Sequence, residues 1–241
     1  MTAGVLGTRV RALREDVLVR NSVLLLVSTV AVAAGGFLFW QIAARLFSAA
    51  EVGLTSALIT SSALIANLAL LGMQNSVIRY LHEWQDRAAT MNSAVTVVTV
   101  AAVLGSALFV VAVDWLAPEL AMLHRPGNAV LFVVFTAVLA VTLLNDNVFI
   151  ALQRSGQVAG RNALTVLLRL ALPFGCVGLG AFGLFAAYQS AATVALIVYL
   201  VVLHRRLGLP TRLRVDPMRF TAMWRYSAGN YVATVLLTCP R

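Results

Sequence analysis

The chain has 241 residues, 61% hydrophobic and 11% charged, with a formal net charge of +9. A mean hydropathy of +0.90 means more apolar surface than a soluble domain of this length can bury, so the solvent for most of the chain is lipid. The basic residues are all arginine and sit between apolar segments rather than along one face, which excludes a nucleic-acid partner.

Residues 1–20 form a basic amino-terminal segment carrying Arg9, Arg11, Arg14 and Arg20. No small-residue cleavage pattern follows a short apolar run, so no removed signal peptide is read. A bilayer core of ~30 Å needs about 20 helical residues. Uncharged stretches of that order run from Asn21 to Ala44, Val52 to Ile78 and Ala88 to Val113. A fourth runs from the Pro126, Gly127 break to Gln153, interrupted only by Asn145, Asp146 and Asn147. From Asn162 to His204 the only charge is Arg169. That stretch is about twice the length of one crossing, so it folds back, and Gly178, Gly180 and Gly183 mark the hinge. These six spans make a transmembrane lobe over residues 21–204, followed by a basic loop over 205–225. A seventh apolar stretch over 226–241 stops at Pro240 and Arg241. At about 14 residues it is too short to cross, which predicts a fragment or truncated reading frame.

Arginine placement sets the orientation, because basic residues are retained in the cytoplasm. Arg9, Arg11, Arg14, Arg20, Arg79, Arg87, Arg154, Arg161, Arg205, Arg206, Arg212, Arg214, Arg219 and Arg225 fall on one side; Arg45 and Arg125 fall on the other. Trp40, Trp84, Trp115 and Trp224 lie near span ends, where amphipathic rings suit the headgroup layer. The expected fold is an all-α polytopic membrane helix bundle of six full transmembrane helices plus a truncated seventh, with the amino terminus cytoplasmic.

Several stretches carry a likeness. Ala43, Ala44, Arg45, Leu46, Phe47 and Ser48 lead into Glu51, Val52 and Gly53; Leu71 and Gly72 precede Ile78, Arg79 and Tyr80. Asp146 through Phe149, with Gln153 and Arg154, precede Arg161, Asn162 and Arg169, and Ser227 through Tyr231 would open a second lobe. In these the chain resembles the O-antigen (Wzx-like) polysaccharide flippases of the multidrug/oligosaccharidyl-lipid/polysaccharide exporter superfamily. The resemblance implies two six-helix lobes facing a central cavity in the bacterial inner membrane. They would move a polyprenyl-pyrophosphate-linked oligosaccharide by alternating access. Its implied partners are the lipid bilayer, the lipid-linked oligosaccharide, a coupling Na⁺ or H⁺, and the missing carboxyl-terminal lobe or polysaccharide assembly proteins. The alternatives are a cation-coupled multidrug exporter of the same superfamily and a non-transporting membrane partner of a glycosyltransferase.

A charge at mid-bilayer costs ~3 kcal/mol or more, so such groups face a bundle interior or a cavity. Asp146 and Arg169 are equidistant from a turn centred near Gln157 and Val158, and they are expected to meet across the hairpin of spans four and five. That pair has either a structural role or a part in transport. Arg169, and Arg79 at the cytoplasmic mouth, are the candidate phosphate and sugar ligands, because a guanidinium replaces the water around a pyrophosphate. Arg79 also fits an interfacial stretch beside anionic lipid. Asp146 with Asn145 and Asn147 is the candidate coupling site, although an adjacent arginine would hold the carboxylate ionised and oppose proton carriage. Arg45 and Glu51 are read as pinning an external turn, and Asp114, Glu119, His124 and Arg125 as a solvated loop. Cys176 and Cys239 lack metal or redox spacing. With no lysine there is no nucleotide-binding P-loop, which excludes ATP-driven transport by this chain. No catalytic constellation stands out, and neither an enzyme, a cofactor nor a metal is expected.

Overall fold

A computed structural model describes residues 2–73, 75–77, 87–151 and 155–207. Among these, all regular structure is helical. Six long helices follow one another: α1 (Thr2–Leu46), α2 (Ala49–Ala69), α3 (Arg87–Val111), α4 (Pro126–Ala151), α5 (Ser155–Ala171) and α6 (Gly180–Leu207).

Their boundaries have local causes. Ser48 caps α2: its hydroxyl accepts from the Glu51 amide while the Glu51 carboxylate accepts from the Ser48 amide at 2.8 Å. Two backbone donors otherwise orphaned at the helix start are thereby satisfied. Glu51 thus pins the turn as expected, but with Ser48, while Arg45 is exposed at the end of α1. The chain leaves α2 through two left-handed residues, Leu71 at φ 48° and Gly72 at φ 73°. Pro126 opens α4, where its missing N–H costs nothing. The reversal between α5 and α6 uses short 3-10 turns at Leu172–Gly175 and Val177–Leu179 and the positive φ (64°) of Gly180. It thus starts before the glycine cluster that marked the hinge.

Five of the helical segments among the described residues are long and apolar enough to cross a membrane: Val19–Leu46, Ala49–Ala69, Met91–Val111, Pro126–Asn147 and Val177–Val201. The expected fifth crossing is the one that falls short of this measure. α5 begins at Ser155, runs 17 residues and carries Arg161 and Arg169. The expected seventh stretch, 226–241, lies outside the described residues.

α2 is the hub, packed against α3, α4 and α6, whereas α1 lies along α5 and touches α2 little. Ala66, Ala69, Val98, Ala102, Ala140 and Leu144 join α2, α3 and α4 through small side chains that allow close approach. Nearer the opposite end, Phe132 stacks between Phe109 and Phe185 at centroid distances of 5.6 and 5.8 Å. Thr55 on α2 donates to the Ala181 carbonyl at 2.9 Å, and Gln189 on α6 donates to the Ser62 hydroxyl at 3.1 Å. α1 and α5 run parallel, with Ser28 beside Asn162 and Gly35 against Val166. A Cβ on Gly35 would sit 2.5 Å from Val166 Cγ1, so this seam needs a glycine. The outward side chains of α3, including Val100, Leu104, Leu108 and Val111, are apolar, as lipid contact requires.

Candidate functional site

The polar chemistry of the bundle gathers on α5. Gln157, Arg161, Thr165 and Arg169 recur every fourth residue, which places them along one side of the helix. The exposed positions of α5 are instead Gly156, Gly160, Ala163, Leu167 and Ala171.

At the end of α5 nearer its start, Arg161 and Asp146 form a two-pronged ion pair. Nη1 lies 2.6 Å from Oδ1 and Nη2 donates to Oδ2 at 2.8 Å. The Arg161 side chain is 8% exposed and that of Asp146 25%. Paired donors and acceptors in this geometry are what makes burying both charges tolerable. Arg161 Nη2 also donates to the Asn162 carbonyl oxygen at 2.7 Å, and Asn162 Nδ2 donates to the Ser28 hydroxyl at 2.9 Å. One chain of contacts therefore ties α4, α5 and α1. A turn earlier on α5, Gln157 accepts from the Tyr199 hydroxyl at 3.1 Å, and the Tyr199 ring meets Phe149 edge-on at 5.2 Å.

Arg169 is differently placed. It lies two turns further along α5, ~12 Å by helical rise, and its guanidinium carbon sits 3.6 Å from the centroid of the Tyr188 ring. That ring is braced by Phe39 of α1 at 5.0 Å. Arg169 Nε, like Arg161 Nε, is buried without a hydrogen-bond partner, but among the described residues no carboxylate pairs with the Arg169 guanidinium. The cation–π contact offsets part of its desolvation but leaves the charge unneutralised.

The expected meeting of Asp146 with Arg169 is therefore corrected to Asp146 with Arg161. The turn centre was placed near residue 157, but α4 ends at Ala151 and α5 begins at Ser155. An earlier turn moves the partner of Asp146 down α5 by about two turns, from Arg169 to Arg161. Of the two flanking amides, Asn145 is buried, and Asn147 Nδ2 donates to the Leu143 carbonyl of its own helix at 2.8 Å. The side-chain amide of Asn147 is thus directed at its own backbone rather than shared with Asp146. Arg79 lies outside the described residues. Arg161 is the residue that sequence reasoning missed, because it was counted among the loop arginines; the four-residue polar repeat along α5 is the signal that would have found it.

A family model described as polysaccharide biosynthesis protein matches residues 18–238. The chain belongs to this family. No curated protein and no solved structure matches it. For this polysaccharide biosynthesis protein, the five apolar helices establish a multi-pass membrane protein. The match takes in α1 from residue 18 onward, all of α2 to α6, and both arginines of α5.

Proposed function

We propose that the chain is part of a flippase that carries a polyprenyl-pyrophosphate-linked oligosaccharide across the bacterial inner membrane, and that it is not an enzyme. Membership of the polysaccharide biosynthesis family supports the pathway, and the observation that carries the reading is Arg169. A partly buried guanidinium with no carboxylate partner among the described residues favours an anionic ligand, because an anion supplies the neutralising charge. The Tyr188 ring lies against the guanidinium, and the unpartnered Nε leaves a donor for a phosphate oxygen. With the amino terminus in the cytoplasm, Arg161 and Asp146 lie toward the cytoplasmic half and Arg169 toward the outer half. A second lobe, as the resemblance implies, would supply the opposite wall of the path.

The cation-coupled exporter reading is the weaker one here. Both carboxylate oxygens of Asp146 are engaged by Arg161, so this carboxylate is not left open as a ligand for Na⁺.

The test is Arg169→Gln and Arg169→Lys in the intact gene, complementing a deletion strain, with surface polysaccharide and membrane-retained lipid-linked sugar both measured. Export should fall by about tenfold or more with glutamine, a loss of ~1.4 kcal/mol or more of ligand stabilisation, and less with lysine, at unchanged protein level. Normal export with Arg169→Gln overturns the proposal.

A further inference from the structure

The outward faces of α2 and α3 differ in chemistry, although the helices are neighbours in the bundle. α3 turns Val100, Leu104, Leu108 and Val111 outward. On α2 the exposed positions include Gly53, Ser56, Thr60 and Asn67, spaced three, four and seven residues apart and hence on one side of the helix. The inward face of α2 carries Thr55, Leu58, Ser62, Ala66 and Ala69. Ala57, Leu64 and Leu68, also exposed, flank the polar stripe on one side.

The hydroxyls of this stripe are also unlike most in the bundle. Thr29, Thr96, Thr99, Thr142 and Thr193 each donate to the carbonyl four residues back, which satisfies a hydroxyl in lipid without outside help. Ser56 and Thr60 make no such bond among the described residues, and Asn67 uses one amide hydrogen on Ala63 O, leaving its other polar capacity outward. Unbonded hydroxyls facing acyl chains would each lose their hydrogen bonding to water. This face is therefore built for a polar environment.

We propose that it lines the route of the carbohydrate portion of the cargo, a neutral polyhydroxyl chain with its water; this rests on the flippase reading above. Charge matching selects that occupant. From Val52 to Ala69 α2 has no ionisable group, so the face offers a phosphate or a cation nothing, whereas hydroxyls and an amide both donate to and accept from sugar hydroxyls. Gly53, where an added Cβ would meet nothing within 4 Å, adds no side chain to this face. Because α1 is drawn away along α5, this side of α2 is left uncovered by its neighbour in sequence.

The experiment places single cysteines by Ser56→Cys, Thr60→Cys and Asn67→Cys, with Leu104→Cys and Leu108→Cys as lipid-facing controls, after Cys176→Ala and Cys239→Ala. N-ethylmaleimide should label the three α2 positions and not the controls. In the same complemented strain, Thr60→Leu and Asn67→Leu should lower polysaccharide export by about tenfold with unchanged protein level. No labelling on α2, or oxidative cross-linking of these cysteines between two copies, overturns the inference in favour of a covered face. Labelling with normal export in both leucine variants overturns it as well. Normal export with Arg169→Gln sinks the flippase reading itself, whereas normal export with Thr60→Leu and Asn67→Leu beside a dead Arg169→Gln sinks only this inference.

Discussion

The two arginines of α5 share a helix and a polar side, yet the protein treats them in opposite ways. Arg161 is held by both oxygens of Asp146 and extended through Asn162 to Ser28, so its charge serves to fix α4, α5 and α1 together. Among the described residues Arg169 has the Tyr188 ring and no carboxylate. The lesson is that intramembrane charge by itself does not identify a ligand site. A charge neutralised within the fold is a structural fastener, and under the proposed function the one without a counter-ion among the described residues is the one offered to a substrate.

Breaking the fastener gives the largest expected effect. Asp146→Leu leaves Arg161 buried and unpaired and should destabilise the protein by ~3–5 kcal/mol, whereas adding Arg161→Met should return most of that loss. Thermal unfolding of the two variants in detergent measures it, and equal loss in the single and double variants would show that the pair does not act as a unit. The same clamp depends on the close α1–α5 seam. Gly35→Leu forces a side chain into Val166 and should cost ~1–3 kcal/mol, read as a lower unfolding temperature. Ser28→Ala removes the far end of the polar chain and should cost about 1 kcal/mol in the same assay. Arg169→Met is the contrasting case. It removes an unneutralised charge and one cation–π contact, terms of opposite sign, so stability should change by less than ~1 kcal/mol while export falls. A stability loss as large as that of Asp146→Leu would erase the distinction between the two arginines.

Much of the bundle was legible in the chain. The starts of the third and fourth helices and the reversal before the sixth followed from charge-free stretches bounded by Pro126, Gly127 and the glycine cluster. Ser48 and Glu51 stand at capping-box spacing, although only Glu51 was singled out. The fifth helix was less legible because its charges were treated as boundaries. Starting a span at Asn162 discarded Arg161, although α5 had already begun at Ser155. The pairing of Asp146 was missed for the same reason, since a shift of the turn by a few residues moves the facing position along α5 by more than one helical turn. The outward polar stripe of α2 was not legible either, because a helix with hydroxyls on both sides does not reveal from composition which side is buried.

Hydropathy along the chain, with arginines between the apolar runs, was enough to determine a helical membrane protein, because a segment with no water must satisfy its own backbone and only a helix does so alone. It also singled out Asp146 and Arg169 as charges within apolar stretches, though not Arg161. Which charge meets which, and which helix face meets lipid, were decided only by the tertiary structure. Those outcomes depend on where turns close and how helices rotate against one another, and a displacement of a few residues in either exchanges one partner for another.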